Sequence, residues 1–174
     1  MSWRRRVARR AKPVTDFRRL IETLSTAAVD YILVGGVAAT VHGSVRLTAD
    51  VDIVYARDRG NLARLVRALS QYEPYLRGAP PGLPFELSVD TLQSGLNFTL
   101  TTTAGALDLL GEITGGGNFE DLIAHTIEVQ LFGYPCRCLD LPTLIRVKRA
   151  AGRPKDLESI AELEAILEER NRTR

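Results

Sequence analysis

Residues 31–54 read YILVGGVAATVHGSVRLTADVDIV, and the order of residue types in this stretch dictates the centre of the fold. Tyr31 to Val34 is a short apolar run rich in β-branched residues, which predicts a strand. Gly35-Gly36 breaks it, and small residues from Val37 to about His42 predict a helix that Gly43 closes. Ser44 to Ala49 reads as a loop, and Val51, Ile53 and Val54 mark a second strand with Asp50 and Asp52 interleaved.

Side chains two apart on a strand share a face, so Asp50 and Asp52 stand about 6 to 7 Å apart at the Cα level and can converge on one cation. A hard divalent ion such as magnesium takes oxygen ligands at about 2.0 to 2.1 Å and favours carboxylates combined with phosphates. The glycine turn meanwhile feeds a helix amino terminus, whose free N–H groups and dipole attract phosphate. Gly35-Gly36 by itself fits a plain tight turn. Two acids on one strand face repel unless a cation or an arginine sits between them, and Arg46 is the candidate structural partner.

Outward from this segment, Thr15 is placed to cap a helix with Phe17, Leu20, Ile21 and Leu24 on one face, ending near Ala28. A helix from about Arg59 to Gln71 buries Leu62, Leu65, Val66 and Leu69. Pro74 to Pro84 is too rich in proline and glycine for a regular element and reads as a surface loop. Asn97–Thr103 and Ala106–Leu110 predict a hairpin, Gly115 to Gly117 a flexible connector, and Phe119 to Ala124 a short helix. A second hairpin is expected from Ile127–Phe132 and Cys136–Leu139, turning at Gly133-Tyr134-Pro135. Helices from Leu141 to Ala151 and from Pro154 to about Arg170 complete an α/β chain of the α+β kind.

The 174 residues, 45% hydrophobic and 25% charged, fit one soluble globular domain. No apolar run reaches the roughly 18 residues of a membrane span. Cys136 and Cys138 are expected to point to opposite faces of their strand and to stay unbridged, which suits a reducing cytoplasm. The net charge of +2 hides an asymmetry, because Arg4, Arg5, Arg6, Arg9, Arg10 and Lys12 carry six positive charges with no acid. The body from Pro13 onward, residues 13–174, is therefore acidic, which argues against a nucleic-acid-coating surface and leaves residues 1–12 as a basic, flexible tail. Asp16, Arg18, Arg19 and Glu22 occupy the place where a signal peptide would be apolar, so secretion is not expected. The sequence lacks GxxxxGK[ST], GxGxxG and a serine elbow, and its two histidines, His42 and His125, have no zinc-type spacing. His42 is expected to pack at a helix end.

The segment Leu33-Val34-Gly35-Gly36-Val37-Ala38-Ala39 through His42-Gly43, Arg46, Thr48 and Asp50-Val51-Asp52 resembles the nucleotidyltransferase superfamily of the polymerase-beta type, and more narrowly its small bacterial members grouped with AbiEii-type toxins. That resemblance implies a mixed β-sheet flanked by helices, with C-terminal helices. It implies transfer of a nucleoside monophosphate from an NTP, ATP among them, with Mg2+ or Mn2+ held by Asp50 and Asp52 and with pyrophosphate released. It also implies a third carboxylate on a neighbouring strand, a position that Asp108 in Ala106-Leu107-Asp108-Leu109-Leu110 matches as metal ligand or general base. A lone acid among apolar strand residues needs a partner in any case. Glu112 shares its strand parity and is the fallback.

Gly35, Gly36, Arg46 and Thr48 would then contact the nucleotide. The segment Leu144 to Asp156 resembles the carboxy-terminal signature of these enzymes, and Lys148, Arg153 and Lys155 could grip the β and γ phosphates. A solvated basic helix end is the plain reading of the same residues, and Asp156 could cap the last helix or pair with Arg153. The resemblance further implies an RNA acceptor, such as a tRNA 3′ end, and a cognate antitoxin protein. Proteins and small aminoglycoside-like molecules are the other acceptors. A non-catalytic nucleotide- or RNA-binding module is the alternative, suggested by Val37 where relatives often carry a small hydroxyl residue and by a chain with little room for an acceptor domain.

Overall fold

The computed structural model describes residues 13–174, and the basic run at residues 1–12 lies outside the described residues. The elements are α1 (Phe17–Thr26), β1 (Tyr31–Val34), α2 (Gly35–His42), β2 (Asp50–Tyr55), α3 (Arg59–Leu69), β3 (Tyr75–Leu76) and α4 (Val89–Ser94). They continue with β4 (Asn97–Thr102), β5 (Gly105–Leu110), β6 (Glu112–Ile113), β7 (Gly117–Asn118), α5 (Phe119–Leu122), β8 (Thr126–Leu131), β9 (Tyr134–Leu139), α6 (Leu141–Ala151) and α7 (Pro154–Arg172).

Seven strands form one mixed sheet in the order β3-β4-β5-β2-β1-β9-β8, with β6 and β7 paired separately. The central β2 runs antiparallel to β1 and parallel to β5. Val51 and Ile53 on β2, with Leu107 and Leu109 on β5, are fully buried, whereas Asp50, Asp52 and Asp108 alternate with them on a half-open face. The two-residue period of the strand thus sorts the apolar residues into the core and the acids towards one cleft. Each fully buried leucine or isoleucine adds about 1.5–3 kcal/mol, so the register that aims the acids outward is set by what their neighbours bury. α6 and α7 pack on each other and on α2, closing the cleft from the far side.

Several expectations are corrected. Asp16 rather than Thr15 caps α1, accepting from the Arg19 N–H, while the Thr15 hydroxyl donates to the Ala49 carbonyl and accepts from the Ala106 N–H. The helix after the glycine turn begins at Gly35 itself, because Val34 stays extended and serves as its cap. The segment from Pro74 contributes β3 to the sheet edge, where proline-free Tyr75-Leu76 pairs with Leu100 and Thr101. A further short helix, α4, follows that segment, with the Ser88 side chain as its cap accepting from the Thr91 N–H. The triglycine does not join elements loosely: Gly117 pairs with Ile113 in the β6–β7 ribbon. The second hairpin turns at Phe132-Gly133, both with positive φ, so Tyr134 and Pro135 belong to β9. Cys136 and Cys138, two apart on β9, share its buried face and do not point oppositely; both are free thiols, and burial pushes the Cys138 thiol up to about 12. Among the described residues no helix is long and apolar enough to cross a membrane.

Candidate active site

The sheet register brings the three acids together. Asp52 lies directly opposite Asp108 across the parallel β2–β5 pair, and Asp50 is one pleat away on the same face. One carboxylate oxygen from each of Asp50, Asp52 and Asp108 falls within 4.8 Å of the others. Burial first, then the charges of Asp50 and Asp108, push the Asp52 carboxyl up to about 7, with Lys155 pulling the other way. Burial also raises Asp108, against the opposing charge of Arg77. Three hard oxygen donors this close together, two of them held above the ordinary carboxyl value, are a donor set that fits a divalent cation.

Beside them, α2 starts with Gly35 at φ +63°, and a Cβ there would collide with the Asp52 carboxylate. A Cβ on Gly36 would meet the Thr48 hydroxyl, which donates to the Asp50 carbonyl at 3.2 Å. Both glycines are thus required by close approach, and the amino terminus of α2, which has no side-chain cap, opens next to the acids.

A cavity of about 470 Å³ gathers the predicted residues: Gly35, Gly36, Arg46, Thr48, Asp50, Asp52 and Asp108 on the sheet side, with Lys148, Arg153 and Lys155 across from them. Glu112 also reaches its wall but is exposed on β6 and is not part of the carboxylate cluster. Lys148 and Arg153 are both engaged with Asp156, at 3.7 and 2.7 Å, and Asp156 is 1% exposed. Burial would raise the Asp156 carboxyl, but the Arg153 hydrogen bond and the two positive charges bring it below its ordinary value. Burial in turn lowers the Lys148 amine, with Asp156 opposing. Asp156 is therefore the buried counter-ion of the basic cluster, and Arg153 rather than Asp156 stands at the α7 cap position.

Arg46 does not neutralise the aspartate pair. Its guanidinium bridges to Glu158 at 3.1 Å and Glu162 at 3.4 Å on α7, and Glu162 also accepts from Ser44 and from the Val45 N–H, tying the loop after α2 to the last helix. The arginine that faces the acids is Arg77, just past β3: its Nη2 donates to Asp108 Oδ1 at 2.7 Å, and its Nη1 lies 3.7 Å from Asp50 Oδ2. The sequence carries no local signal for it, since its partners are far along the chain. His42, buried at the end of α2, donates from Nε2 to the Leu139 carbonyl at 2.7 Å and accepts at Nδ1 from Arg170, so it is a packing residue as expected.

By sequence, no protein-family profile and no curated protein matches the chain. By structure, it is similar to the lincosamide antibiotic adenylyltransferase LnuA in its lincomycin-bound form, with a TM-score of 0.58 at 17% identity over 89% of this chain and 99% of that one. A Thermotoga maritima protein described as a nucleotidyltransferase aligns with a TM-score of 0.52 at 15% identity, covering 83% of this chain and 89% of that one. The antibiotic-resistance factor ANT(2'')-Ia, in complex with adenylyl-2''-tobramycin, gives 0.50 at 14% identity over 90% and 95% of the two chains. The fold is that of the nucleotidyltransferases.

Proposed function

We propose that this protein is a divalent-metal-dependent nucleotidyltransferase that moves a nucleoside monophosphate from an NTP to an acceptor hydroxyl. The convergence of Asp50, Asp52 and Asp108 beside an open helix amino terminus carries this reading. Asp50, Asp52 and Asp108 would hold Mg2+ or Mn2+, which when bound supplies Lewis-acid stabilisation of the charge developing on the phosphoryl oxygens.

The chain's own groups do the rest. The N–H groups at Gly35 and Gly36 hold phosphate oxygens at the positive end of α2, with Thr48 supporting the turn. Lys155 and the Lys148–Arg153 cluster face the β and γ phosphates and favour departure of pyrophosphate. Asp108 has one oxygen bound to Arg77 and one left to take the acceptor hydroxyl proton as the new oxygen–phosphorus bond forms and the bond to pyrophosphate breaks.

Two acceptor classes follow from different observations. RNA, with a tRNA 3′ end and a toxin–antitoxin setting as its narrow form, is supported by the sequence resemblance and by the basic run at residues 1–12. A small hydroxylated molecule is supported by the structural neighbours, one bound to lincomycin and one to an adenylylated tobramycin. Coverage of 99% of the lincomycin-binding neighbour also weakens the argument that the chain is too short for an acceptor site. Either chemistry suits the reducing cytoplasm, where NTP is available and Cys136 and Cys138 stay thiols.

The test is incubation with each α-labelled NTP and Mg2+, with total bacterial RNA in one arm and lincosamide or aminoglycoside acceptors in the other, comparing wild type with Asp52→Ala. Label moved by wild type alone establishes the transfer and names the acceptor. Mg2+-dependent NTP binding without transfer to any acceptor would replace the enzyme with the binding-module reading.

A further inference from the structure

Arg77 stands at the edge of the sheet, yet its side chain turns inward. Its N–H pairs with the Thr99 carbonyl, Thr99 pairs with Asp108, and Asp108 pairs with Asp52, so the four residues form one row that runs from the residue after β3 across β4 and β5 to β2. The guanidinium reaches back over the sheet, where its Nη2 donates both to the Leu100 carbonyl and to Asp108 Oδ1, each at 2.7 Å. In that pose its Nε is buried without a hydrogen-bond partner. An arginine beside the exposed Gly78 loop could keep its stem on the sheet and its head in water, leaving no buried donor unmet. Its inward pose is held by the carboxylates.

Among the described residues, Arg77 is outside the set that lines the cavity, whereas Asp108, to which it donates, is within it. Resting on the nucleotidyl-transfer reading, we propose that Arg77 is the positioning residue of the site: by occupying Asp108 Oδ1 it fixes the carboxylate plane and presents the other oxygen to the metal and the acceptor hydroxyl. A planar guanidinium anchored on the Leu100 carbonyl fixes direction as well as charge, which a lysine ammonium cannot do.

Charge and positioning predict opposite signs for metal affinity, and the experiment uses that. Removing a positive charge beside three carboxylates should tighten divalent-cation binding if charge alone matters. Removing an orienting partner should loosen it, by about 10- to 100-fold for a residue supporting a ligand from behind. Mn2+ binding to the full chain is measured for wild type, Arg77→Met, Arg77→Lys and, as a surface control, Arg59→Ala, which loses only the exposed contact with Gln93. Expected are about 10-fold or weaker Mn2+ binding for both Arg77 variants, partial recovery when methylguanidinium is added to Arg77→Met, and no change for Arg59→Ala. In the transfer assay, kcat falls by a similar factor with the KM for NTP within about twofold.

Should Arg77→Met fail to fold, Arg77→Lys, which keeps the stem and the charge, carries the test alone. Mn2+ affinity unchanged or tightened in the folded variants overturns the proposal. Weakened Mn2+ binding in a protein whose wild type transfers no nucleotide would uphold Arg77 as the orienting partner while removing the enzymatic reading.

Discussion

Gly35 and Asp52 meet so closely that no side chain can stand between them: a Cβ on Gly35 would overlap the carboxylate. The positive φ of +63° adds a second reason, since a residue with a Cβ held in the left-handed region loses roughly 1–2 kcal/mol. Gly35→Ala is therefore expected to cost both stability and function. A loss of that size lowers Tm by roughly 2–8 °C in a chain of this length. Because the displaced group is a candidate metal ligand, nucleotidyl transfer should fall by on the order of 100-fold or more. Thermal melting and the labelled-NTP assay check the two parts; wild-type transfer in a folded Gly35→Ala protein would mean that Asp52 does not work from this position.

Asp52 itself is predicted to trade stability for function. Its folded-state carboxyl, at about 7, sits above the unfolded value of 3.8, so between these values the native state binds a proton that the unfolded state lacks. Stability of the metal-free protein should accordingly fall as pH rises from about 4 through about 7. Asp52→Asn removes that dependence, and at pH 8 without metal it should melt higher than wild type. Mg2+ should reverse the order, because only the wild-type carboxylate set gains from binding, and transfer by the variant should drop by on the order of 1,000-fold. Melting curves at pH 5 and pH 8, each with and without Mg2+, read all four states.

The centre of this fold was legible because its signals are local. Val34, Gly35 and Gly36 announce a strand, a turn and a helix within three residues, and the alternation of Asp50, Val51, Asp52 and Ile53 states which face is buried. The local pattern marked Asp108 only as one acid among apolar strand residues in need of a partner, and its place beside Asp50 and Asp52 was an expectation from the family resemblance, because that pairing joins strands more than fifty residues apart. Arg77 was not legible, because a two-residue edge strand leaves no periodicity and the partners, Asp50 and Asp108, are 27 and 31 residues away. Arg46 misled by proximity: it lies four residues from Asp50 in sequence, but the loop that carries it is bound by Ser44 and Val45 to Glu162 and turns its guanidinium to α7. The cysteines show how a parity slip propagates, since residues two apart on a strand share a face and Cys136 and Cys138 obey that rule.

Asp156 should prove costly to remove. Its side chain is 2% exposed and that of Lys148 11%, so Asp156→Ala leaves a nearly buried ammonium without its counter-ion. Breaking such a pair from one side costs about 3–5 kcal/mol. Urea titration is expected to show a lowered midpoint with little change in slope, and Asp156→Asn, which keeps an acceptor for Arg153, should lose less. A loss below about 1 kcal/mol for Asp156→Ala would mean that Lys148 finds water or another acid when freed.

His42 gives the chain an acid-sensitive joint away from the carboxylates. Burial, joined by the charge of Arg170, holds its imidazole below the ordinary value of 6.5 despite the opposing Leu139 carbonyl. The unfolded chain therefore takes up a proton first as pH falls, so the stability contributed by neutral His42 is complete above about 6.5 and is lost progressively below it. Protonation would also place a cation at Nδ1 against the Arg170 guanidinium, 3.2 Å away, and loosen the α2–α7 contact. His42→Gln, whose amide can still donate to Leu139, should flatten this part of the stability profile between pH 5 and 7. Melting the variant and wild type in Mg2+, which suppresses the opposing trend from Asp52, isolates the effect; identical pH slopes would show that the imidazole is not the group that titrates.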